Sequence, residues 1–129
     1  MKKITCFILS LLLATAAFAD SSKFSAISHD ELQTAVTNAD VVVLDVNGTE
    51  SYKSGHIPGA IDYIANQDRL ASLLPADKEA LVVAYCANER CGAYKSAAEA
   101  ATKLGYKNVK HYAPGIAGWK KSGAPIEKS

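Results

Sequence analysis

Two cysteines five positions apart, Cys86 and Cys91, are the side chains of this sequence best suited to covalent chemistry. A thiol becomes a nucleophile when its surroundings favour the thiolate. The start of a helix does this, because its first N–H groups are unpaired and carry positive partial charge. The run Leu81-Val82-Val83-Ala84-Tyr85 is apolar and partly β-branched, and reads as a buried strand that ends at Cys86. From Ser96 to Leu104 the chain is alanine-rich, with apolar residues at helical spacing (Ala97, Ala101 and Leu104). Cys86 is thus expected where a strand gives way to a loop and then a helix. The loop Ala87-Asn88-Glu89-Arg90-Cys91-Gly92 is the candidate substrate-binding loop, and the helix-start N–H groups beside it offer an anion a cradle.

Each candidate has a plainer reading beside the chemical one. Cys86 could pack as a small buried hydrophobe. Arg90 is either an anion contact or a solvated side chain, and Glu89 opposes anion binding unless it points outward. Lys95 reads as surface. Asp45, at the end of another strand, is a candidate acid, but capping of loop N–H groups is the expected role. His56, inside Gly55-His56-Ile57-Pro58-Gly59, is a candidate base or metal ligand, with a structural hydrogen-bonding role preferred. Two cysteines and one remote histidine fall short of a metal site, so none is expected. His29 and His111 carry no motif, and Trp119 with Tyr112 reads as core.

Composition narrows the class. Lys2 and Lys3 precede an uncharged stretch, Ile4 to Ala19, that closes on Ala17-Phe18-Ala19, the pattern of a secretory leader with its cleavage site. The stretch is shorter than the ~20 apolar residues a spanning helix needs, so no membrane attachment is expected after cleavage. Residues 20–129 then form one compact domain, expected to be monomeric. Without Lys2 and Lys3 the 14 basic residues no longer outnumber the 13 acidic ones, and no basic patch stands out. Nucleic acid is not an expected partner. Of the three cysteines, Cys6 leaves with the leader. Cys86 and Cys91 are destined for the periplasm or the exterior, where disulfides persist.

The elements that must position these residues follow in chain order. Residues 20–27 read as a loose leader. Ser28-His29-Asp30-Glu31 is a capping box for a helix whose apolar face is Leu32, Ala35 and Val36. Val41 to Val46 is a strand apolar enough to be buried on both faces. Glu50 to Lys53 allows one helical turn, Ile61 to Ile64 a short strand, and Gln67 to Leu74 a helix ended by Pro75. Gly105 stops the helix after the cysteine loop. Val109 to Tyr112 and Ile116 to Lys121 complete the chain as strand and short helix. The alternation predicts a small doubly wound α/β fold, a mostly parallel sheet flanked by helices. Ligands of such sheets bind beyond the carboxyl ends of the strands, where Cys86 lies.

Several of these segments together resemble the rhodanese-like family of single-domain sulfurtransferases, in its secreted or periplasmic form. The matching stretches are Leu44-Asp45-Val46 with Glu50-Ser51-Tyr52-Lys53-Ser54-Gly55-His56-Ile57-Pro58-Gly59-Ala60, Val82 to Cys86, Leu104-Gly105-Tyr106-Lys107-Asn108-Val109, and Pro114-Gly115-Ile116-Ala117-Gly118-Trp119. The resemblance implies that Cys86 takes a sulfane sulfur from a donor such as thiosulfate and becomes a persulfide. The sulfur then passes to cyanide or a thiol, a protein thiol included, with no metal or organic cofactor. Two positions depart from the family pattern: Cys91 stands where its loop arginine would fall, with Arg90 one place early, and Asn47 replaces the arginine after Leu44-Asp45-Val46. Cys91 can accordingly be a disulfide partner of Cys86, a resolving thiol that attacks a Cys86 persulfide, or an inert loop residue. The rival functions are a non-catalytic binding module with a Cys86–Cys91 disulfide and a thiol–disulfide redox protein using that pair. A phosphatase or arsenate reductase ranks below these, because Gly92 stands where such a loop would want arginine.

Overall fold

The computed structural model describes residues 23–129, so the expected leader and Cys6 lie outside the described residues. Five strands, β1 (Ser25–Ala26), β2 (Val42–Asp45), β3 (Ile61–Asp62), β4 (Leu81–Tyr85) and β5 (Asn108–His111), form one sheet in the order β1-β5-β4-β2-β3. Every pairing is parallel. The helices are α1 (His29–Thr37), α2 (Thr49–Ser54), α3 (Tyr63–Asn66), α4 (Leu70–Leu73), α5 (Tyr94–Lys103) and α6 (Gly115–Lys121).

The unbroken apolar runs of β2 and β4 have a direct cause: both faces of the sheet are covered. Side chains alternate between faces along a strand. Leu44, Val82, Ala84 and Cys86 pack under α5, against Ala97, Ala98 and Ala101, and against Tyr63, Leu70 and Leu74. Val43, Val83 and Tyr85 point the other way, onto Leu32, Ile57, Tyr112 and Trp119. Alanines at the α5 contact bring that helix close to β4, which places its N-terminus beside the residue that ends the strand. The Tyr85 position pairs with Asp45 and Ala84 with His111, so the carboxyl ends of the three central strands lie level.

Four expectations need correction. The part of residues 20–27 that is described is no loose leader: Ser25 and Ala26 pair with Lys110 and His111, and Phe24 and Ile27 are buried, one in each core. The strand from Ile61 stops at Asp62, because the Asp62 carboxylate accepts the Ala65 N–H (3.2 Å) and caps α3. Gln67 to Leu74 is not one helix but a 3-10 turn, Gln67–Arg69, followed by α4, with breaks at Asn66 and Arg69 (φ −122° and −124°). Helix α5 begins at Tyr94 rather than near Ser96, since Lys95 and Ser96 already donate to the Gly92 and Ala93 carbonyls (3.2 and 3.1 Å). The Ser28 cap forms as expected, accepting the Glu31 N–H at 3.2 Å.

Candidate functional site

Cys86 follows the last residue of β4, with its side chain on the α5 face of the sheet and 3% of the residue exposed. Tyr94 opens α5, so its N–H has no partner within the helix, and it donates to the Cys86 sulfur at 3.1 Å. The loop between them folds back on itself. The Asn88 carbonyl accepts the Cys91 N–H (3.2 Å) and its side-chain oxygen accepts the Arg90 N–H (2.9 Å). This turn brings Cys91 over Cys86, and the two are joined as a disulfide with Cα atoms 6.0 Å apart. Among the roles open to Cys91, the structure thus places it as the partner of Cys86. Cys91 is half-buried, resting on the core beneath α5, while Asn88, Glu89, Arg90, Gly92 and Lys95 are exposed.

A second helix holds the loop from the other side. The Ile116 and Ala117 N–H groups donate to the Cys86 and Ala87 carbonyls, both at 3.0 Å. These are the first free donors of α6, spent on the two residues that leave β4. Gly115, at φ +63°, makes the contact possible: a Cβ there would lie 2.5 Å from the Cys86 carbonyl oxygen and 2.7 Å from Ala87 C and Asn88 N. Asn88, Glu89 and Arg90 face Pro114, Ala117 and Lys121 across an open groove of about 420 Å³. Lys121 was invisible as a groove residue in the sequence, where it is one of two lysines closing a short helix. The sequence predicts a helix-start N–H beside Cys86; the residue that supplies it, Tyr94, is not foreseen there, because the helix reads as starting near Ser96.

Asp45 and His56 are not brought to the sulfur. Asp45 is 1% exposed and lies on the Tyr85 face of the sheet, opposite Cys86. Its carboxylate accepts the Asn47 N–H (2.8 Å) and the Tyr85 O–H (2.5 Å), and the Tyr85 oxygen in turn accepts the Ile57 N–H (3.1 Å). Burial pushes the Asp45 carboxyl above its usual value, against the pull of these donors. Burial and the neighbouring Asp45 both push the Tyr85 phenol upward, which keeps it a proton donor. Asp45 is therefore a cap on the turn after β2, as its sequence position suggested. His56 stacks on Tyr52 (3.7 Å between centroids), donates from Nδ1 to the Tyr52 carbonyl (2.7 Å), and sits with Nε2 3.6 Å from Glu127. Its backbone exchanges two 2.9 Å hydrogen bonds with Glu127, so it ties down the C-terminal segment. Among the described residues no three His, Cys, Asp or Glu side chains converge as a metal centre requires.

Comparison with known proteins gives this geometry a context. A model of the rhodanese-like domain matches residues 28–122. The HTH-type transcriptional regulator Rv0324 of Mycobacterium tuberculosis is 34% identical over 105 residues, which cover 80% of this chain and 45% of the regulator. The chain thus spans less than half the length of that relative. The crystal structure of a full-length protein from Lactobacillus plantarum superposes with a TM-score of 0.66 at 28% identity, covering 81% of this chain and 88% of the other. SseA of Escherichia coli, a 3-mercaptopyruvate sulfotransferase, gives a TM-score of 0.65 at 18% identity over 82% of this chain and 51% of SseA, a likeness of fold alone.

Proposed function

The chain belongs to the rhodanese-like family, and on that premise we propose that it is a sulfurtransferase whose sulfur carrier, Cys86, is freed for work by reduction of the Cys86–Cys91 bridge. The Cys86 thiolate attacks the outer sulfur of thiosulfate, the S–S bond breaks, sulfite leaves with the electron pair, and a Cys86 persulfide remains. Cyanide or a thiolate then takes the outer sulfur and returns the Cys86 thiolate, so no redox cofactor enters the transfer itself. The observation that carries this reading is the Tyr94 N–H aimed at the Cys86 sulfur from the start of α5. A donor in that position stabilises negative charge on sulfur before, during and after transfer. Arg90 and Lys121 flank the groove beside the loop and supply positive charge for an anionic donor. A leader over residues 1–19 would deliver the protein to the periplasm or the exterior, where the bridge is the resting form.

The test is thiocyanate formation from thiosulfate and cyanide by the protein before and after reduction. Activity should appear only after reduction and vanish in Cys86→Ser; turnover retained by Cys86→Ser overturns the assignment. The bridge itself favours a second reading, a binding module whose loop is locked shut. That reading gains if the reduced protein, with both thiols free, turns over no donor.

A further inference from the structure

We propose that Cys91 is a resolving thiol, which attacks the inner sulfur of a Cys86 persulfide, expels hydrosulfide and leaves the disulfide present in this structure. The protein would then reduce sulfane sulfur to sulfide, drawing electrons from an external dithiol. The inference rests on the sulfur-carrier reading of Cys86 and adds a second activity to it.

Three features of the site carry it. The first is reach. The turn built on Asn88 places the Cys91 sulfur at bonding distance from the Cys86 sulfur, the atom a resolving thiol must attack. The second is the difference in exposure. Cys86 is 3% exposed, whereas Cys91 is only half-buried at the loop surface. In the bridged form a thiol arriving from solution therefore meets Cys91 before Cys86. The third is the leaving group. When Cys91 is attacked, Cys86 departs as a thiolate that receives the Tyr94 N–H. Exchange is faster when the departing thiolate is the better stabilised one, so this order is favoured over its reverse.

The steps balance. In the first, the Cys91 thiol and the Cys86 persulfide anion give the Cys86–Cys91 disulfide and hydrosulfide. The persulfide S–S bond breaks, its electron pair leaves on the outer sulfur, and that sulfur takes the Cys91 proton. The two cysteines are oxidised together by two electrons, and the sulfane sulfur is reduced by two. In the second, one thiol of an external dithiol attacks Cys91 and Cys86 leaves as the thiolate. The second thiol of that dithiol then attacks the mixed disulfide, restores the Cys91 thiol and closes the reductant into a cyclic disulfide. A protein dithiol of the Cys-x-x-Cys class fits this part, because its two thiols act in sequence on one exposed sulfur.

The test is a single turnover of the full chain. Protein reduced and freed of reductant receives thiosulfate; released sulfide is assayed and the intact mass recorded. The wild-type chain should release about one equivalent of sulfide and finish ~2 Da below the dithiol, as a disulfide. Cys91→Ser, with Cys91→Ala beside it to guard against a folding defect, should release none and remain ~32 Da heavier on Cys86. If the wild type keeps the added sulfur on Cys86 and releases no sulfide, the resolving role is overturned and the carrier reading stands. If neither wild type nor variant gains sulfur, both fall.

Discussion

Gly115→Ala is the substitution that most sharply tests how the cysteine loop is held. Two costs can be separated at this position. The backbone is left-handed at φ +63°, which an L side chain adopts at a cost of roughly 1–2 kcal/mol. The new Cβ would also stand 2.5–2.7 Å from three backbone atoms of Cys86, Ala87 and Asn88, which are rigid neighbours and must move. Forcing extra volume into a packed site costs about 1–3 kcal/mol. Together these remove about 3 kcal/mol from a total stability on the order of 5–15 kcal/mol. For a domain of this size that lowers Tm by about 12–15 °C. Gly123→Ala is the matched control: φ is +80°, but nothing lies within 4 Å of its Cβ, so only the conformational cost applies, roughly 1–2 kcal/mol. Thermal unfolding of both variants under oxidising conditions isolates the difference. Equal losses in the two variants would refute the claim that α6 closes on the loop backbone.

Further outcomes follow from the same geometry. Reducing the Cys86–Cys91 bridge, which closes a loop with a sequence separation of 5, should lower stability by about 2 kcal/mol, seen as a drop in denaturant midpoint that Cys86→Ser does not show. Tyr85→Phe leaves an Asp45 oxygen and the Ile57 N–H without their partner and should cost about 1–3 kcal/mol at pH 7. The sign of its pH dependence is set by Asp45. Burial holds the folded carboxyl above the ordinary aspartate value, so its contribution to stability is largest at low pH and falls as pH rises through the folded value. Loss of the Tyr85 donor pushes that value higher still, and urea melts of the variant should show a larger deficit at pH 7 than at pH 4. Arg90→Ala should raise KM for thiosulfate by up to about fivefold with kcat little changed, and added salt should erase the difference.

How much of this was legible in the sequence depends on which atoms carry the signal. Strands β2 and β4 announced themselves because both their faces are buried, so their side chains are apolar without interruption. The Ser28 cap was equally plain, since it is a side chain meeting a backbone donor. Strand β1 was not, because two residues set no period and its burial falls on Phe24 and Ile27 outside the pairing. The break of the Gln67–Leu74 stretch into a turn and a short helix turns on backbone angles at Asn66 and Arg69 that their residue types do not dictate. At the site, the position of Cys86 between strand and helix was readable from periodicity. The pairing with Cys91 stayed one of several choices, because it depends on the Asn88 turn. The Tyr94 donor and the α6 contacts are backbone groups, and only Gly115, through its left-handed φ and the missing Cβ, leaves a trace of them in the residue types.

The central claim is that Cys86 is a sulfur carrier, and intact mass spectrometry of the reduced protein with thiosulfate or a polysulfide, followed by peptide mapping, tests it most directly. In the Cys91→Ser chain, where no bridge can form, the account predicts a gain of ~32 Da located on Cys86 and removed by cyanide. No gain in that chain, or a gain on any other residue, would contradict it.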